Sequence, residues 1–255
     1  MTDKSHETVI AAQFGPRAAA YVASPVHAQG EDLQELAALV RSRPGARVLD
    51  LGCGGGHVSF TVAPWAGTVV ALDLSPDMLA AVAGVAAERG LGNIVTERGS
   101  VDDLSFDAAS FDLVLSRYSA HHWPDLAAAL AEARRVIRPG GIAVFVDAVS
   151  PGPALLDTHI QAIELLRDPS HVRDYSVEEW RAALAAAGFA PGQPVRRRLH
   201  LEFASWIERM RTVEPHIRAI RSLQGQVSAA VQQHFAIEPD GSFTLDTMSL
   251  AAVPV

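Results

Sequence analysis

The chain has 255 residues, of which 49% are hydrophobic, and it carries a formal net charge of −8 at pH 7. This length allows one sizeable core, so a single α/β domain is expected, and the acidity argues against a nucleic-acid-binding surface. One cysteine, Cys53, excludes an internal disulfide or a multi-thiolate metal site, and without a signal segment or membrane-spanning apolar run we expect a cytoplasmic protein.

Residues 1 to about 43 are predicted to be helical. Apolar residues recur there at helical spacing, at Leu33, Leu36, Leu39 and Val40. Pro44-Gly45 ends the helix. A strand should follow directly, because Val48-Leu49-Asp50-Leu51 is an apolar run interrupted by one acid.

A glycine-rich turn, Gly52-Cys53-Gly54-Gly55-Gly56, comes after that strand. Glycine allows a backbone to turn sharply and to approach a ligand closely, and a helix opens facing the turn. The next apolar run ends in Asp73, about 20 residues after the first glycine, where a carboxylate can accept both hydroxyls of a ribose. The segment is therefore predicted to bind an adenosine-type ligand.

The spacing of the glycines indicates which ligand this is. A dinucleotide pattern, G-x-G-x-x-G, would need glycine at His57, whereas the chain has G-x-G-x-G preceded by Asp50, whose carboxylate opposes a pyrophosphate and suits an ammonium. The arrangement resembles motif I of the class I S-adenosylmethionine (SAM)-dependent methyltransferases. An ordinary strand-to-helix turn is the alternative interpretation. The resemblance implies SAM as cofactor, with contacts from Asp50, Gly52, Cys53, Gly54 and Asp73.

The same resemblance suggests a function for the N-terminal region. Residues 14–21 are similar to the short helix that many small-molecule methyltransferases fold over the cofactor. Residues 1–43 are therefore interpreted as a helical lid, ahead of a methyltransferase domain over residues 44–255. Tyr21 and His27 are candidate lid residues, with Tyr21 as a cofactor contact, although Phe14 and Tyr21 could equally serve only to hold the helix in place.

After Asp73, Ser75-Pro76 predicts a helix that ends at Gly90. Leu74 and Met78 lie just beyond the ribose acid, where they either contact adenine or belong to the core. A third strand follows, and residues 99–106 then resemble the GDAExLPF segment with which the family reads adenine. Serine replaces the usual aspartate, so the contact to the adenine amino group must come from the Ser100 hydroxyl, from a backbone carbonyl or from Asp102, and Val101 between them is a further candidate cofactor contact.

A fourth strand over residues 111–116 ends at Ser116, a further candidate cofactor contact, and leads into a polar and aromatic loop over 117–125. Open α/β sheets bind ligands beyond the carboxyl ends of such strands. The loop resembles the LHHxxD segment of the quinone and natural-product methyltransferases and should face the transferable methyl. His121 and His122 are the candidate substrate contacts, although one of two adjacent histidines is often a buried, hydrogen-bonded residue.

A helix from about Asp125 to Arg138 and a fifth strand over residues 142–146 follow, and Asp147 ends that strand at the edge of the site. Residues 134–141 look like the xxRVLKPGG segment of the family. Five family-like segments thus occur in the expected order across residues 47–147. The chain is therefore identified as a member of the class I SAM-dependent methyltransferases of the small-molecule type.

The last hundred residues give weaker signals. A capping box at Ser176 opens a helix that ends at Gly188, and residues 195–203 and 243–252 alternate as a sixth and seventh strand, a terminal antiparallel pair. Between them, residues 204–240 are predicted to form a helical insertion that could cap the substrate pocket. Several arginines are interpreted as solvated surface rather than as a basic patch: Arg196, Arg197, Arg198, Arg209, Arg211, Arg218 and Arg221.

The expected fold is a doubly wound, seven-stranded, Rossmann-like α/β sheet with N-terminal helices and a helical insertion before the last strand. The expected reaction is methyl transfer from SAM to an O, C or N nucleophile of a small molecule, held in line in a water-poor pocket. If the acceptor must lose a proton, His121 is the expected base and Asp147 its orienting group. No zinc or magnesium site, nucleic-acid partner or membrane span is expected, and the protein should be a monomer or homodimer.

Three other functions stay open at this point. A nicotinamide-dependent oxidoreductase would share the sheet and the ribose acid, but it fits neither the glycine spacing nor Asp50. A non-catalytic SAM-binding module would keep Asp50, Asp73 and the glycines for binding alone. A nucleic-acid methyltransferase is disfavoured by the acidity and by residues 116–119, where amino-methylating DNA enzymes carry a proline-rich acidic tetrapeptide.

Overall fold

The structure, a computed structural model, describes residues 5–14 and 30–255. Its helices are α1 (His6–Phe14), α2 (Glu31–Arg41), α3 (His57–Val62), α4 (Pro76–Glu88), α5 (Leu126–Val136), α6 (Ala154–Arg167), α7 (Val177–Ala186), α8 (Phe203–Met210), α9 (Glu214–Gln224) and α10 (Ala229–Phe235). Its strands are β1 (Arg47–Leu51), β2 (Thr68–Asp73), β3 (Ile94–Arg98), β4 (Phe111–Arg117), β5 (Ile137–Ala148), β6 (Phe189–Pro191), β7 (Val195–Leu201) and β8 (Phe243–Pro254).

The described strands form one eight-stranded sheet in the order β3-β2-β1-β4-β5-β8-β6, with β7 also paired to β8. Strands β1 to β5 run parallel, whereas β8 is antiparallel to β5 on one side and to β6 and β7 on the other. Because β6 and β7 share one edge, the sheet is seven positions wide. The doubly wound α/β fold is thus confirmed, and only the three-residue β6 was too short to show an alternating pattern.

Helices cover both faces of the sheet. Leu130 of α5 and Trp180 of α7 belong to the core cluster on one face, and Leu36 of α2 and Val62 of α3 belong to the cluster on the other. The strand order reverses between β1 and β4, and at such a switch point the connections leave a crevice beyond the carboxyl ends of the strands. The glycine turn and the histidine loop both lie at this crevice.

Three predicted helix starts have the expected caps. Ser75 Oγ accepts a hydrogen bond from Met78 N at 3.3 Å, and Asp125 Oδ1 accepts one from Ala128 N at 2.9 Å. At Ser176 the complete capping box is present, with Glu179 as its partner. These local contacts explain why the sequence located α4, α5 and α7.

The predicted helical stretch before the last strand consists of the three helices α8, α9 and α10. They pack against α6 in a third core cluster that includes Trp206, Ile220 and Phe235. Helix α6 was not predicted, and its N-cap is Pro153, which makes no side-chain capping hydrogen bond. No helix in the described ranges is long and apolar enough to cross a bilayer.

Two glycines give a matched test of this fold. Gly56→Ala should destabilise the protein by about 2 kcal/mol or more, because a left-handed φ costs an L-residue ~1–2 kcal/mol and the new Cβ would lie 2.8 Å from Val82 Cγ2. Gly84→Ala, in the middle of α4 with nothing within 4 Å, should stabilise it by about 0.5–1 kcal/mol. Urea unfolding would measure the change in the free energy of unfolding for both variants. A Gly56→Ala variant as stable as the wild type would contradict the predicted steric clash with Val82.

Candidate active site

The glycine turn after β1 brings bare backbone to the edge of a cavity. Gly52, Gly54 and Gly56 have φ angles of 65°, 48° and 75°, in the left-handed region that favours glycine. A Cβ on Gly52 would lie 1.9 Å from Ser119 Oγ, whereas nothing lies within 4 Å of a Cβ on Gly54. Gly54 therefore faces open space, into which a ligand can come close to the backbone.

Asp73, at the end of β2, is held by the same turn. Its Oδ2 accepts a hydrogen bond from Gly54 N and its Oδ1 accepts one from Ser75 N, both at 2.9 Å. Burial raises the pKa of Asp73, and these backbone hydrogen bonds oppose that effect. Since each carboxylate oxygen can accept more than one hydrogen bond, both remain able to accept ribose hydroxyls.

Asp50 is buried beneath the turn. Its Oδ2 accepts hydrogen bonds from Ser59 N at 3.1 Å and from Ser59 Oγ at 2.6 Å, which ties β1 to α3. Burial raises the pKa of Asp50 to about 6 despite these bonds, and the charge of Asp73 adds to the rise. Two neighbouring buried carboxyls favour a positively charged ligand group, so the predicted ammonium contact is chemically consistent and stays a prediction.

A cavity of about 660 Å³ extends from this turn to the helical insertion, within the usual size range of small-molecule sites. It brings together most of the residues that the sequence predicted. Those that line it are Asp50, Gly52, Cys53, Gly54, Asp73, Leu74, Met78, Ser100, Val101, His121 and His122.

The other predicted residues have different positions. Ser116 Oγ donates to Leu51 O at 3.1 Å below the cavity, and Asp102 accepts a hydrogen bond from Ser100 Oγ without lining the cavity. Asp147 lies behind His121. Tyr21 and His27 are outside the described residues, and the cofactor contacts predicted for Tyr21, Ser116 and Asp102 stay predictions.

The structure brings His121 and Asp147 together across the neighbouring ends of β4 and β5. His121 Nδ1 lies 2.6 Å from Asp147 Oδ1, and His121 N donates to Asp147 Oδ2 at 3.2 Å. Burial would lower the pKa of His121, but the Asp147 carboxylate outweighs it and raises that pKa to about 9. The ring is therefore fixed through Nδ1, and Nε2 makes no hydrogen bond within the described part of the chain.

His122 is held quite differently. Its Nδ1 donates to Ser170 O at 3.1 Å, and its ring packs edge-on against Phe14 of α1, with ring centroids 5.0 Å apart. His6 Nε2 donates to the His122 carbonyl at 3.3 Å. Burial lowers the pKa of His122 to about 3, and the positive charge on His121 adds to that effect. His122 is thus a neutral residue that connects α1 to the loop.

The far end of the cavity consists of residues that the sequence analysis did not assign to the site. Its apolar wall comes from β7, α8 and β8, and its polar residues come from α6 and the following loop. These lining residues are Leu199, Leu201, Trp206, Leu245, Glu164, Arg167, Asp168 and Asp174. Glu164 is only 7% exposed although Leu165 beside it is 54% exposed. A buried acid beside an exposed leucine indicates a functional position, but it can be recognised only when the structure of α6 is known.

A buried ion pair between Arg117 and Asp32 also lines the cavity and joins β4 to α2. Tyr118 follows at a φ of 50°, which is uncommon for a residue other than glycine, and its ring lies 4.7 Å from the Arg117 guanidinium carbon. Burial raises the pKa of Tyr118 to about 12, and the charge of Asp32 contributes. Strained backbone of this kind tends to occur at functional sites.

The interpretation of the arginines as solvated surface is wrong for part of the set. Arg197 and Arg209 are partly buried and line the cavity, and Arg197 pairs with Glu35 of α2. Arg198 lines the cavity rim and pairs with Asp246 at 2.7 Å, but its side chain is 43% exposed, as the interpretation expects. Their partners are distant in sequence, so strand alternation alone could not reveal them. Arg196 and Arg218 do have side chains that are 62% and 69% exposed.

Comparison with known proteins decides the family. Residues 49–145 match the methyltransferase domain family. The chain is 43% identical to the uncharacterised protein YafE of Escherichia coli, over 77% of this chain and 95% of that protein. It is 34% identical to the uncharacterised methyltransferase YcgJ of Bacillus subtilis, over 77% of this chain and 78% of that protein. The chain belongs to the SAM-dependent methyltransferases.

Two further likenesses agree with this assignment. The crystal structure of the Bacillus subtilis YcgJ protein superimposes with a TM-score of 0.84 at 29% identity, covering 88% of this chain and 98% of that one. The nocamycin O-methyltransferase of Saccharothrix syringae is 35% identical over 66% of this chain and 67% of that enzyme. The nicotinamide-dependent alternative gains no support from these relatives.

The cofactor end of the cavity fits SAM. Gly54 offers open backbone, Asp73 keeps acceptor positions for two hydroxyls, and Asp50 supplies a carboxyl for an ammonium. The apolar side chains of Leu74, Met78 and Val101 line the same cavity, where an adenine ring can lie against them. The placement of each group on SAM is our proposal.

Asp73→Asn should weaken SAM and S-adenosylhomocysteine (SAH) binding by about 2 kcal/mol, roughly 30-fold, because it removes a charged acceptor from two hydroxyls. Isothermal titration calorimetry would measure this, and the wild type should bind both ligands in the micromolar range, about −7 to −8 kcal/mol, without binding NAD(H). Asp107→Asn, in an exposed loop, is the control. An unchanged affinity for Asp73→Asn would refute the ribose assignment.

Proposed function

We propose that the protein transfers a methyl group from SAM to a hydroxyl oxygen of a small molecule. The observation that carries this proposal is the His121–Asp147 pair at the cavity, since a hydroxyl is a poor nucleophile until it loses its proton and a histidine backed by a carboxylate can remove that proton. A relative that is 35% identical is named as an O-methyltransferase, which supports oxygen as the acceptor atom.

Different residues of the cavity bind the cofactor, exclude water and remove the proton in the proposed reaction. Bound SAM supplies a methyl group on a sulfonium, which is already activated for transfer. The glycine turn and Asp73 hold the cofactor, while the apolar wall around Leu199 and Trp206 excludes water from the acceptor. His121 Nε2 takes the hydroxyl proton as the oxygen gains the methyl, and Asp147 stabilises the resulting imidazolium.

The raised pKa of His121 sets the pH dependence. At pH 7 a histidine with a pKa of about 9 is mostly protonated and cannot act as a base, so activity should rise with pH. A cationic ligand in the same cavity lowers this pKa, because like charges disfavour the protonated ring. The acidic limb of the pH–rate profile of the SAM-loaded enzyme should therefore have its midpoint at or below the His121 pKa of the free protein.

His121→Ala should lower kcat by ~10²-fold or more while SAM affinity changes by less than about threefold, as expected for the loss of a general base. Methyl transfer from labelled SAM to a panel of phenols and alcohols would supply the rates, and calorimetry the affinity. The acidic limb of the wild-type profile should disappear in this variant.

Two further variants distinguish the base from its neighbours. Asp147→Asn should move the acidic limb to lower pH, because the carboxylate that raises the His121 pKa is gone, and should lower the plateau rate. His122→Ala should leave kcat within about tenfold, since that ring is bound to Ser170. If His122→Ala abolished turnover while His121→Ala was benign, with both variants folded and binding SAM, the assignment of the two histidines would be reversed.

We also propose that α1 and the insertion α8–α10 cover the occupied site. Phe14 and His6 of α1 contact His122, and Trp206 of α8 lines the acceptor end. Lids are drawn from the less stable parts of a fold and close over ligands. The contacts of α1 and α8 with the two ends of the cavity support this covering role.

Hydrogen exchange would test this covering role. Amides of α1 and of α8–α10 should gain protection when SAH and a phenol are added, because closure shields their backbone hydrogen bonds. Central strand β5, which is hydrogen-bonded to β4 and β8 on its two sides, is the internal reference and should exchange slowly in both states. Equal protection of the helices with and without ligands would show that they are fixed walls.

A further inference from the structure

The loop between α6 and α7 lies beside the proposed base. Val172 N and Arg173 N both donate to the His121 carbonyl, at 2.8 and 3.2 Å. The next residue, Asp174, lines the same cavity as His121 and is 2% exposed. A buried carboxyl group therefore lines the cavity in which the acceptor hydroxyl should be held.

The backbone of Asp174 is held rigidly. Gln161 of α6 accepts a hydrogen bond from Asp174 N at 3.1 Å and donates one to Asp174 O at 2.7 Å. The same Gln161 side chain accepts from His171 Nε2 at 2.9 Å and donates to Asp157 Oδ1 at 2.9 Å. One glutamine thus fixes the backbone of Asp174 and its loop to α6.

One oxygen of the Asp174 carboxyl group has no hydrogen-bond partner among the residues that the structure describes. Asp174 Oδ2 is buried without a hydrogen bond in the described part of the chain, although such groups are rarely left unpaired. Arg117 and Arg167, two cations of the same cavity, already pair with Asp32 and Glu164. A buried carboxyl in this condition is poised to bind a group that arrives with the ligand.

The surroundings determine which form this carboxyl takes. Burial, helped by the carboxylates of Glu164 on α6 and Asp147 on β5, raises the pKa of Asp174 to about 8, against the opposing effect of the positive charges on His121 and Arg167. At neutral pH the group is therefore a carboxylic acid with an O–H to donate. Donors of this kind pair with carbonyl or ether oxygens.

We propose that Asp174 is a specificity-determining residue that donates a hydrogen bond, as the neutral acid, to a second oxygen of the acceptor. The inference rests on the proposed function, in which the first oxygen is the hydroxyl that faces His121. The acceptor class is then a hydroxylated carbonyl compound, such as a phenol or enol that carries a ketone, with its apolar body against Leu199, Leu201 and Trp206.

Three matched phenols test this inference on the full-length protein saturated with SAH: 3-acetylphenol, 3-ethylphenol and 3-(aminomethyl)phenol. Calorimetry should show 3-acetylphenol binding about 10-fold more tightly than 3-ethylphenol at a pH about one unit below the Asp174 pKa, the effect of one buried hydrogen bond. This preference should fall as the pH rises through about 8, because the ionised carboxylate no longer donates.

Three variants separate recognition from structure. Asp174→Ala should reduce the preference to less than about threefold, whereas Asp174→Asn, whose amide still donates, should keep it and should make it independent of pH. Glu178→Gln, on α7 with a side chain that is 75% exposed, is the matched control and should behave as the wild type. If Asp174 had only a structural role, the preference for 3-acetylphenol would not depend on pH in the wild type while being independent of pH in Asp174→Asn.

Other results would overturn the inference. A preference for 3-(aminomethyl)phenol that disappears in Asp174→Ala would mean that Asp174 binds a cation as a carboxylate. That result would refute the inference but would leave the proposed methyl transfer intact. Equal binding of 3-acetylphenol and 3-ethylphenol, or binding of none of the three phenols to the SAH-loaded protein, would also refute it. Failure of SAH itself to bind would instead contradict the proposed function.

Discussion

The close approach of the glycine turn to the histidine loop is the constraint on which both ends of the cavity depend. A side chain on Gly52 would occupy the position of Ser119 Oγ, and that hydroxyl accepts a hydrogen bond from Trp123 Nε1 at 3.1 Å. Trp123 is 3% exposed and belongs to the core cluster that contains Leu49 and Leu51 of β1. Because the core fixes Trp123, and Trp123 fixes Ser119, the backbone that leads to His121 is positioned by the same contacts that hold the cofactor turn. One rigid region therefore sets the distance between the cofactor turn and His121.

The cofactor end was predictable from sequence because its chemistry is local. The glycine turn, Asp50 and Asp73 belong to two adjacent strands and the helix between them, and a left-handed φ at Gly52 and Gly54 leaves a direct mark in residue type. The His121–Asp147 contact is longer in range, yet it followed from a rule of parallel sheets, since β4 and β5 are neighbours and their carboxyl ends meet. Ser116 ends β4 in the same way, but its hydroxyl turns to Leu51 O, a choice that only packing decides.

The acceptor end could not be predicted in this way, because its residues come from segments that are distant in sequence and carry no turn or spacing signal. Glu164 is 7% exposed on a helix whose Leu155 and Leu165 are 57% and 54% exposed, so α6 reverses the usual rule that acids face water. Arg197 lies between two exposed arginines and differs only in that its face of β7 meets Glu35 of α2. Whether such a residue is buried or exposed depends on its tertiary partner, which the local sequence does not identify. The burial of Glu164 is offset by its ion pair with Arg167, whereas Asp174 Oδ2 has no hydrogen-bond partner among the described residues, which is a reason to connect Asp174 with the ligand.

Two adjacent histidines show how the environment assigns chemistry to identical side chains. Burial lowers the pKa of both rings. At His121 the Asp147 carboxylate on Nδ1 outweighs burial and the pKa rises to about 9, whereas at His122 the neutral Ser170 carbonyl on Nδ1 does not offset burial and the pKa falls to about 3. The ring centroids are 4.1 Å apart, so a charge on one ring disfavours a charge on the other. Since Asp147 already favours the cation on His121, His122 stays neutral throughout the physiological range and can pack against Phe14 without a charge to solvate. The neutral ring thus allows α1 to lie over the loop, while in our proposal the hydroxyl proton goes to His121 once that ring has lost its own proton.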